Sequence, residues 1–268
     1  MLDDGQAGQL WTSAEVYERY VGRWSRLVAD EFVPWLAAPA NGRWLDVGLG
    51  TGALSETIIA TQDPAWVHGV DLSKAFISSA REQIRDRRMT FAMSAAQSVA
   101  APERVFDIVV SGLVLNFVPD PRDAVLEFAR ALRSGGIAGV YVWDYSSEMQ
   151  MMRHFWDAAG ALDPAARELD EGQRCSICQP ELLTALLQSA GFQTVEARAI
   201  DVPTVFTDFD DYWQPFLGGR APAPAYAMSL SEDRRSALRE LIRRRLPTEG
   251  DGSIRLIARA WAVKGTAP

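Results

Sequence analysis

Two short stretches contain the residues best suited to chemistry. Residues 44–52 read Trp-Leu-Asp-Val-Gly-Leu-Gly-Thr-Gly, and residues 67–71 read Val-His-Gly-Val-Asp. The first stretch is typical of a buried strand and a glycine turn into a helix, and the second of a strand that ends in a carboxylate. Such glycines let backbone approach a ligand, and a helix amino terminus offers N–H donors to an anion. Because Asp71 can accept both hydroxyls of a ribose, the two stretches together indicate a nucleoside site.

The spacing of the glycines separates two kinds of nucleoside cofactor. A dinucleotide site needs Gly-x-Gly-x-x-Gly, in which the third glycine packs the helix on the strand beneath a pyrophosphate. Here the glycines fall at positions 48, 50 and 52, so the third comes one residue early. The spacing therefore disfavours a nicotinamide oxidoreductase.

These residues resemble the first motif of the class I S-adenosylmethionine-dependent methyltransferases, Leu-Asp-x-Gly-Cys-Gly-Thr-Gly, with Leu49 at the usual cysteine. Three later stretches fall in the order and spacing of that family's other motifs. They are residues 106–111 (Phe-Asp-Ile-Val-Val-Ser), 115–120 (Leu-Asn-Phe-Val-Pro-Asp) and 132–136 (Leu-Arg-Ser-Gly-Gly). The resemblance thus runs from residue 44 to residue 136.

The resemblance implies a Rossmann-like α/β fold, in which a seven-stranded, mostly parallel sheet has an antiparallel last strand, helices on both faces and a helical lid. Residue patterns predict strands at 43–47, 66–71, 89–93, 105–111, 137–143, 192–201 and 254–263. They predict helices at 12–20, 23–37, 53–61, 73–85 with Ser73 as the cap, 180–190, and from Pro121 to a glycine stop at 134–136.

One domain is expected over residues 1–268, because 48% hydrophobic residues at this length suffice for one sizeable core. Within it we expect cofactor-covering helices at 1–40 and a cofactor-binding core at 41–144. Two insertions, the first at 145–178 and the second at 203–252, are expected to form a lid. The C-terminal part of the sheet is expected at 179–202 and 253–264.

The resemblance implies S-adenosyl-L-methionine as the cofactor and assigns roles to single residues. Gly48 and Gly50 would let the loop approach its methionine end, and Asp71 would bind the ribose hydroxyls. Leu72 would flank the adenine, and Ser111 would lie below the sulfonium. In addition, Asp46 is expected to order the loop through its N–H groups, with a water-mediated contact to the ligand as the alternative.

The adenine side departs from the family pattern. Many relatives have an aspartate after the third strand, whereas this chain has Ala95 there, followed by Ala96 and Gln97. Adenine recognition is then expected from backbone groups of the two alanines, helped by the glutamine. At the amino-terminal end, Arg23 is a candidate for binding the methionine carboxylate, and Tyr17 or Trp24 is a candidate for closing over the sulfonium.

Methyl transfer requires an acceptor atom held in line with an already activated methyl group, and a base only if the acceptor must lose a proton. His154 in the first insertion is the preferred candidate base, and Asp144 and Tyr145 after the fifth strand come next. His68 lies inside a predicted strand and is expected to be structural.

Composition excludes several partners. A net charge of −8 and a pI near 4.9 argue against nucleic acid, and no apolar run is long enough to span a membrane. Without a signal-peptide pattern, a cytoplasmic location is expected. The run Arg243–Arg245 is interpreted as a solvated helix face. Cys175 and Cys178 lack the further ligands that a metal site needs, so reduced thiols and no metal are expected.

The insertions are rich in aromatic residues, which can line a pocket for a ring-bearing or lipid-like molecule or simply pack the lid. We therefore expect a methyltransferase for a small, apolar or aromatic acceptor, whose oligomeric state the sequence leaves open. Two alternatives are an accessory protein that binds the cofactor without turnover and an enzyme that catalyses another reaction on the same fold.

Overall fold

A computed structural model describes residues 18–218 and 221–268, and these residues build a seven-stranded sheet. The strands are β1 (Arg43–Val47), β2 (Trp66–Asp71), β3 (Met89–Met93), β4 (Phe106–Gly112), β5 (Leu132–Trp143), β6 (Gln193–Phe206) and β7 (Ile254–Thr266). Their order across the sheet is β3-β2-β1-β4-β5-β7-β6. Strands β1 to β5 pair in parallel, and β7 runs antiparallel to both its neighbours. The predicted fold class is confirmed.

Helices surround this sheet in the described part of the chain. They are α1 (Arg23–Trp35), α2 (Ala53–Thr61), α3 (Lys74–Gln83), α4 (Pro121–Ala131), α5 (Gln150–Leu162), α6 (Glu171–Arg174), α7 (Pro180–Ser189), α8 (Phe209–Trp213), α9 (Pro222–Ser229) and α10 (Glu232–Arg245). A π-helical turn (Glu18–Gly22) precedes α1, and 3₁₀ turns occupy Leu115–Phe117, Pro164–Leu169, Ser176–Cys178 and Gln214–Leu217. Of the predicted helix at 12–20, residues 12–17 lie outside the described residues and residues 18–20 belong to the π-helical turn.

The central strands are apolar because both of their faces are covered. Trp44, Leu45 and Val47 of β1 are at most 1% exposed, as expected for a strand inside a parallel sheet. On one face, Phe32 of α1 packs edge-on against Tyr141 of β5 with ring centres 4.8 Å apart. Helix α1 therefore covers β5 and the neighbouring strands β7 and β6.

The register brings the ends of three strands to one edge of the sheet. Val47 pairs with Val70 and Asp46 with Val110, so β1, β2 and β4 end side by side. Open parallel sheets bind ligands at this carboxyl edge. The glycine loop, Asp71 and the end of β4 are therefore neighbours.

The glycine stop predicted at 134–136 is wrong. Helix α4 ends at Ala131, and the chain is already extended at Leu132, where β5 begins. Gly135 donates its N–H to the carbonyl of Ala267, and Ala267 donates back to Gly136. The two glycines therefore form an irregular start of β5 that pairs with the end of β7.

The predicted end of the sixth strand is also wrong. Strand β6 continues to Phe206, and Pro203 pairs with Ile257 inside it. Proline has no N–H, but β6 is an edge strand with a single neighbour, so one of its sides needs no donor. The second insertion therefore begins after Phe206 and runs to β7.

The two insertions pack on each other and form a common body. Phe155 of α5 stacks on Phe216 with ring centres 4.5 Å apart, and Tyr212 of α8 donates its hydroxyl to the carbonyl of Met151 at 2.8 Å. Tyr20 of the amino-terminal turn contacts Phe216 edge-on at 5.9 Å. Three separate parts of the sequence thus meet in one aromatic cluster.

Candidate functional site

The glycine loop between β1 and α2 is held against the neighbouring strand. The N–H groups of Gly48 and Leu49 both donate to the carbonyl of Val70, at 2.8 and 3.0 Å. Gly48 has φ +77°, and a Cβ there would lie 2.3 Å from Val114. Gly50 has φ +57°, but the nearest heavy atom to its Cβ position would be 3.9 Å away. The loop is therefore closely packed at Gly48 and open at Gly50.

Asp71 binds this loop directly. One carboxylate oxygen accepts the N–H of Gly50 at 2.9 Å, and the other accepts the N–H of Ser73 at 2.7 Å. Burial raises the pKa of Asp71 above its usual value, while these two N–H donors lower it. An ionised carboxylate has about four lone-pair positions, so capacity remains for ligand hydroxyls.

Asp46 binds the helix that follows the loop, and its role in ordering the loop N–H groups stays a prediction. It is 1% exposed and accepts the hydroxyl of Ser55 at 2.7 Å, which ties β1 to the first turn of α2. The loop N–H of Gly50 goes to Asp71 instead. Burial, reinforced by the charge of Asp71, raises the pKa of Asp46 to about 7 although the Ser55 bonds lower it.

A cavity of about 340 Å³, including its open mouth, lies beside the loop. It is lined by Ser25, Asp46, Gly48, Leu49, Gly50, Thr51, Ala53, Leu54, Gly112, Leu113 and Tyr141. Three of the predicted cofactor residues, Asp46, Gly48 and Gly50, thus meet in one concave space.

The far wall of the cavity was not predicted from the sequence. Tyr141 reaches it because Gly112 has no side chain, since a Cβ there would lie 2.4 Å from the tyrosine ring. Leu113 adopts φ +62°, a strained conformation for leucine, and donates its N–H to the carbonyl of Tyr141 at 2.8 Å. Such strain is concentrated at functional sites. The only signal in the sequence was that this glycine ends a buried strand.

The residues predicted to contact the adenine lie on an exposed surface next to Asp71. Leu72 is 48% exposed and Met93 is 58% exposed, which leaves apolar surface on both sides of the β2 end. Ala95, Ala96 and Gln97 form the turn after β3, and the carbonyl of Ala95 already accepts the N–H of Ser98 at 3.2 Å. That carbonyl is therefore partly used within the protein.

Arg23 has a protein partner. Its Nη1 donates to Asp211 at 3.0 Å, and its guanidinium lies over the rings of Trp24 and Phe206 at 4.5 and 4.9 Å. It thus links α1 to the start of the second insertion. Its contact with a methionine carboxylate stays a prediction. Tyr17 lies outside the described residues.

Ser111 does not point into the cavity. The residue is 1% exposed, and its hydroxyl donates to the carbonyl of Val47 at 2.8 Å. This bond joins the ends of β4 and β1. The cavity is lined instead by Gly112 and Leu113, the two residues that follow.

The candidate bases lie outside the cavity beside the loop. His154 is on α5, which packs on β7, α9 and α10, and burial lowers its pKa although Asp157 raises it. Tyr145 is 8% exposed just after β5. Asp144 accepts Ser146 and Ser147 in the following turn. None of the three lines the cavity described above.

Other titratable groups have structural surroundings. The Nδ1 atom of His68 lies 2.8 Å from the Thr90 hydroxyl, and its ring stacks on Phe106. Cys175 and Cys178 are free thiols, and residues 18–218 and 221–268 contain no cluster of side chains suited to a metal ion. In the same part of the chain no helix is long and apolar enough to cross a membrane.

Residues 45–140 match the model of the methyltransferase domain family. Trans-aconitate 2-methyltransferase of Variovorax paradoxus is 28% identical over 70% of this chain and 68% of its own length. 2-Methyl-6-phytyl-1,4-hydroquinone methyltransferase of Synechocystis is also 28% identical, over 67% of this chain and 56% of its own length. The chain thus spans about two thirds of the first relative's length and little more than half of the second relative's length.

A solved structure extends the match in fold. Phosphoethanolamine N-methyltransferase 2 of Haemonchus contortus, in complex with S-adenosylhomocysteine, superposes on 90% of this chain and 52% of its own with a TM-score of 0.57 and 18% identity. The sheet order and the loop are those of a Rossmann-like fold. Residues 45–140 are similar to the methyltransferase domain family, and both relatives, which match about two thirds of the chain, are named methyltransferases.

Proposed function

We propose that this chain transfers the sulfonium methyl of S-adenosylmethionine to a small, apolar or aromatic molecule. The observation that carries the proposal is the bond between Asp71 and the N–H of Gly50 at the open side of the loop. This bond supports a ribose-binding role for Asp71, because it holds the carboxylate beside the loop backbone at the edge of the sheet where ligands bind.

The residues present fit the cofactor. Asp71 has lone pairs left for ribose hydroxyls, and the space beside Gly50 lets the ligand approach the backbone. The exposed Leu72 and Met93 offer apolar contact to an adenine ring. When bound, the cofactor supplies an activated methyl group, so the protein has mainly to hold the acceptor in line and exclude water.

The aromatic character of the insertions supports the acceptor class. Phe155, Phe216 and Tyr212 are fully buried, and they pack on one another and on Tyr20. A molecule held beneath them would meet an apolar wall and little water. One relative is named for a hydroquinone ring and another for trans-aconitate, and the aromatic wall favours the ring-bearing class.

Transfer of a labelled methyl group tests the proposal. The protein is incubated with methyl-labelled S-adenosylmethionine and a panel of phenols, hydroquinones, amines and aliphatic acids, and labelled products are separated by chromatography. We expect label in a ring-bearing product and stoichiometric S-adenosylhomocysteine. Label only in aliphatic acids would contradict the acceptor class, and cofactor binding with no labelled product would favour an accessory or non-methylating protein.

A further inference from the structure

A buried carboxyl group in the first insertion has no role in the cofactor site. Glu171, the first residue of α6, is 7% exposed, and one of its oxygens accepts the indole N–H of Trp156. Arg153 lies nearby but is engaged by Asp170, with one of its two bonds at 2.9 Å. Within residues 18–218 and 221–268 Glu171 forms no ion pair, and the indole N–H that it accepts is uncharged. A buried carboxyl without a paired cation is costly and needs an explanation.

Glu171 lies at the carboxyl edge of the sheet. A Cβ on the next residue, Gly172, would lie 2.7 Å from the carbonyl of Tyr145, so α6 rests on the backbone that leaves β5. The side chain of Tyr20 is close enough for the charges of Glu171 and Tyr145 to affect its titration. Ser25, five residues after Tyr20 in the chain, lines the cavity beside the loop. Glu171 therefore lies at the same edge of the sheet as this cavity, which it does not line.

Unpaired hydrogen-bond donors lie at the same edge. The indole nitrogen of Trp143 has no partner in the described structure, although Trp143 is 1% exposed. It follows Tyr141 by two residues on β5, so both side chains lie on the same face of the sheet. The side-chain nitrogen of Asn116 is also buried without a partner, in a turn that packs on Ser176–Cys178. Such donors are satisfied when a ligand supplies an oxygen.

The electrostatic surroundings suit proton transfer. Burial raises the pKa of Glu171 to about 7, and Asp170 adds to this, whereas Trp156 and Arg153 lower it. The remaining titratable neighbours are Tyr20 on the amino-terminal turn and the two thiols that follow α6, Cys175 and Cys178. A base works best when its pKa lies near the working pH.

We propose that Glu171 is the catalytic base that takes the proton from a phenol-type hydroxyl of the methyl acceptor, an inference that rests on the proposed function. The acceptor oxygen forms its bond to the methyl carbon while its proton passes to a carboxylate oxygen of Glu171. The bond between sulfur and the methyl carbon breaks, and its electron pair stays on sulfur. The acceptor is thus a ring-bearing hydroxyl compound, and Glu171 replaces His154 as the base.

Binding of 4-nitrophenol in the presence of S-adenosylhomocysteine tests this without knowledge of the natural acceptor. Its absorbance reports how far the hydroxyl proton has moved toward a base. We expect the bound probe to show a stronger phenolate band than the free probe at the same pH. In Glu171→Gln the band falls to that of the free probe and affinity drops about tenfold or more, because a charge-assisted hydrogen bond is lost.

Matched variants separate a base from a structural residue. Glu168→Gln changes an exposed acid of the same insertion and is expected to behave like the wild type. Glu171→Asp keeps the carboxylate and is expected to restore part of the phenolate band, with circular dichroism checking the fold of every variant. A wild type that does not bind the probe, or a band unchanged in Glu171→Gln, overturns the inference. If calorimetry shows no binding of S-adenosylhomocysteine to the wild type, the proposed function itself fails.

Discussion

Two acidic side chains at the ends of neighbouring strands have different tasks. Asp71 accepts an N–H group with each of its two oxygens, one of them from the glycine loop, and is half-buried. Asp46 is buried, with the hydroxyl of Ser55 bound to it. Asp46 therefore joins β1 to α2 at the wall of the cavity, whereas Asp71 holds the glycine loop and keeps lone pairs for a ligand.

The burial of Asp46 predicts a pH-dependent stability. Its pKa is raised from the usual 3.8 to about 7, so the folded state holds its proton more tightly than the unfolded chain does. The protonated carboxyl group therefore adds to the free energy of unfolding in full below about pH 4. As the pH rises to about 7 the free energy of unfolding falls by at most on the order of 4 kcal/mol. The variant Asp46→Asn removes this pH dependence.

Urea unfolding of the wild type and Asp46→Asn at several pH values measures this effect. The stability of the variant relative to the wild type is expected to increase from acidic to neutral pH, because only the wild type buries a charge there. A difference between the two proteins that stays constant with pH would show that Asp46 does not titrate in this range.

At the scale of elements, the loop between β1 and α2 combines a packed glycine with an open one. Gly48→Ala combines left-handed backbone with a Cβ 2.3 Å from Val114, whereas Gly50→Ala meets nothing closer than 3.9 Å. We expect Gly50→Ala to lower the free energy of unfolding by about 1–2 kcal/mol from backbone strain alone. Gly48→Ala should lose about 1–3 kcal/mol more from overpacking.

Chemical denaturation and ligand binding together check this pair. Gly50→Ala is expected to weaken S-adenosylhomocysteine binding at least about tenfold, because its methyl group fills space that the ligand needs. Equal stabilities of the two variants would contradict the geometry of the loop. Unchanged ligand affinity in Gly50→Ala would show that the ligand does not approach there.

Local sequence was enough for the elements that begin the sheet. Strands β1 and β2, helix α2 and the Ser73 cap have their predicted positions, because apolar runs, glycines and the cap act within a few residues. Gly135 was misread because its partner, Ala267, lies at the other end of the chain. Tyr141 and Glu171 were missed because packing between distant segments places them, and no local motif marks such residues.

At the scale of the whole molecule, the insertions are held to the sheet by an aromatic cluster. Phe216 is fully buried between Phe155 and Tyr20. Phe216→Ala is expected to lower the free energy of unfolding by about 3–5 kcal/mol, since it leaves a cavity where three segments meet. Leu182→Ala, at a 43% exposed position on α7, is the control and should change it by about 0.5 kcal/mol or less.

Urea denaturation followed by fluorescence measures both variants. If Phe216→Ala is as stable as Leu182→Ala, the insertions are not anchored through this cluster. A large loss only for Phe216→Ala would support the insertions as a body that packs on the carboxyl edge as one unit.

Isothermal calorimetry with S-adenosylhomocysteine tests the central claim most directly, because it measures the cofactor site without any acceptor. The wild type is expected to bind this ligand, Asp71→Asn to bind it at least about tenfold more weakly, and Asp63→Asn, a change at an 88% exposed side chain, to bind like the wild type. Absence of binding to the folded wild type, or equal affinity in Asp71→Asn, would contradict the account.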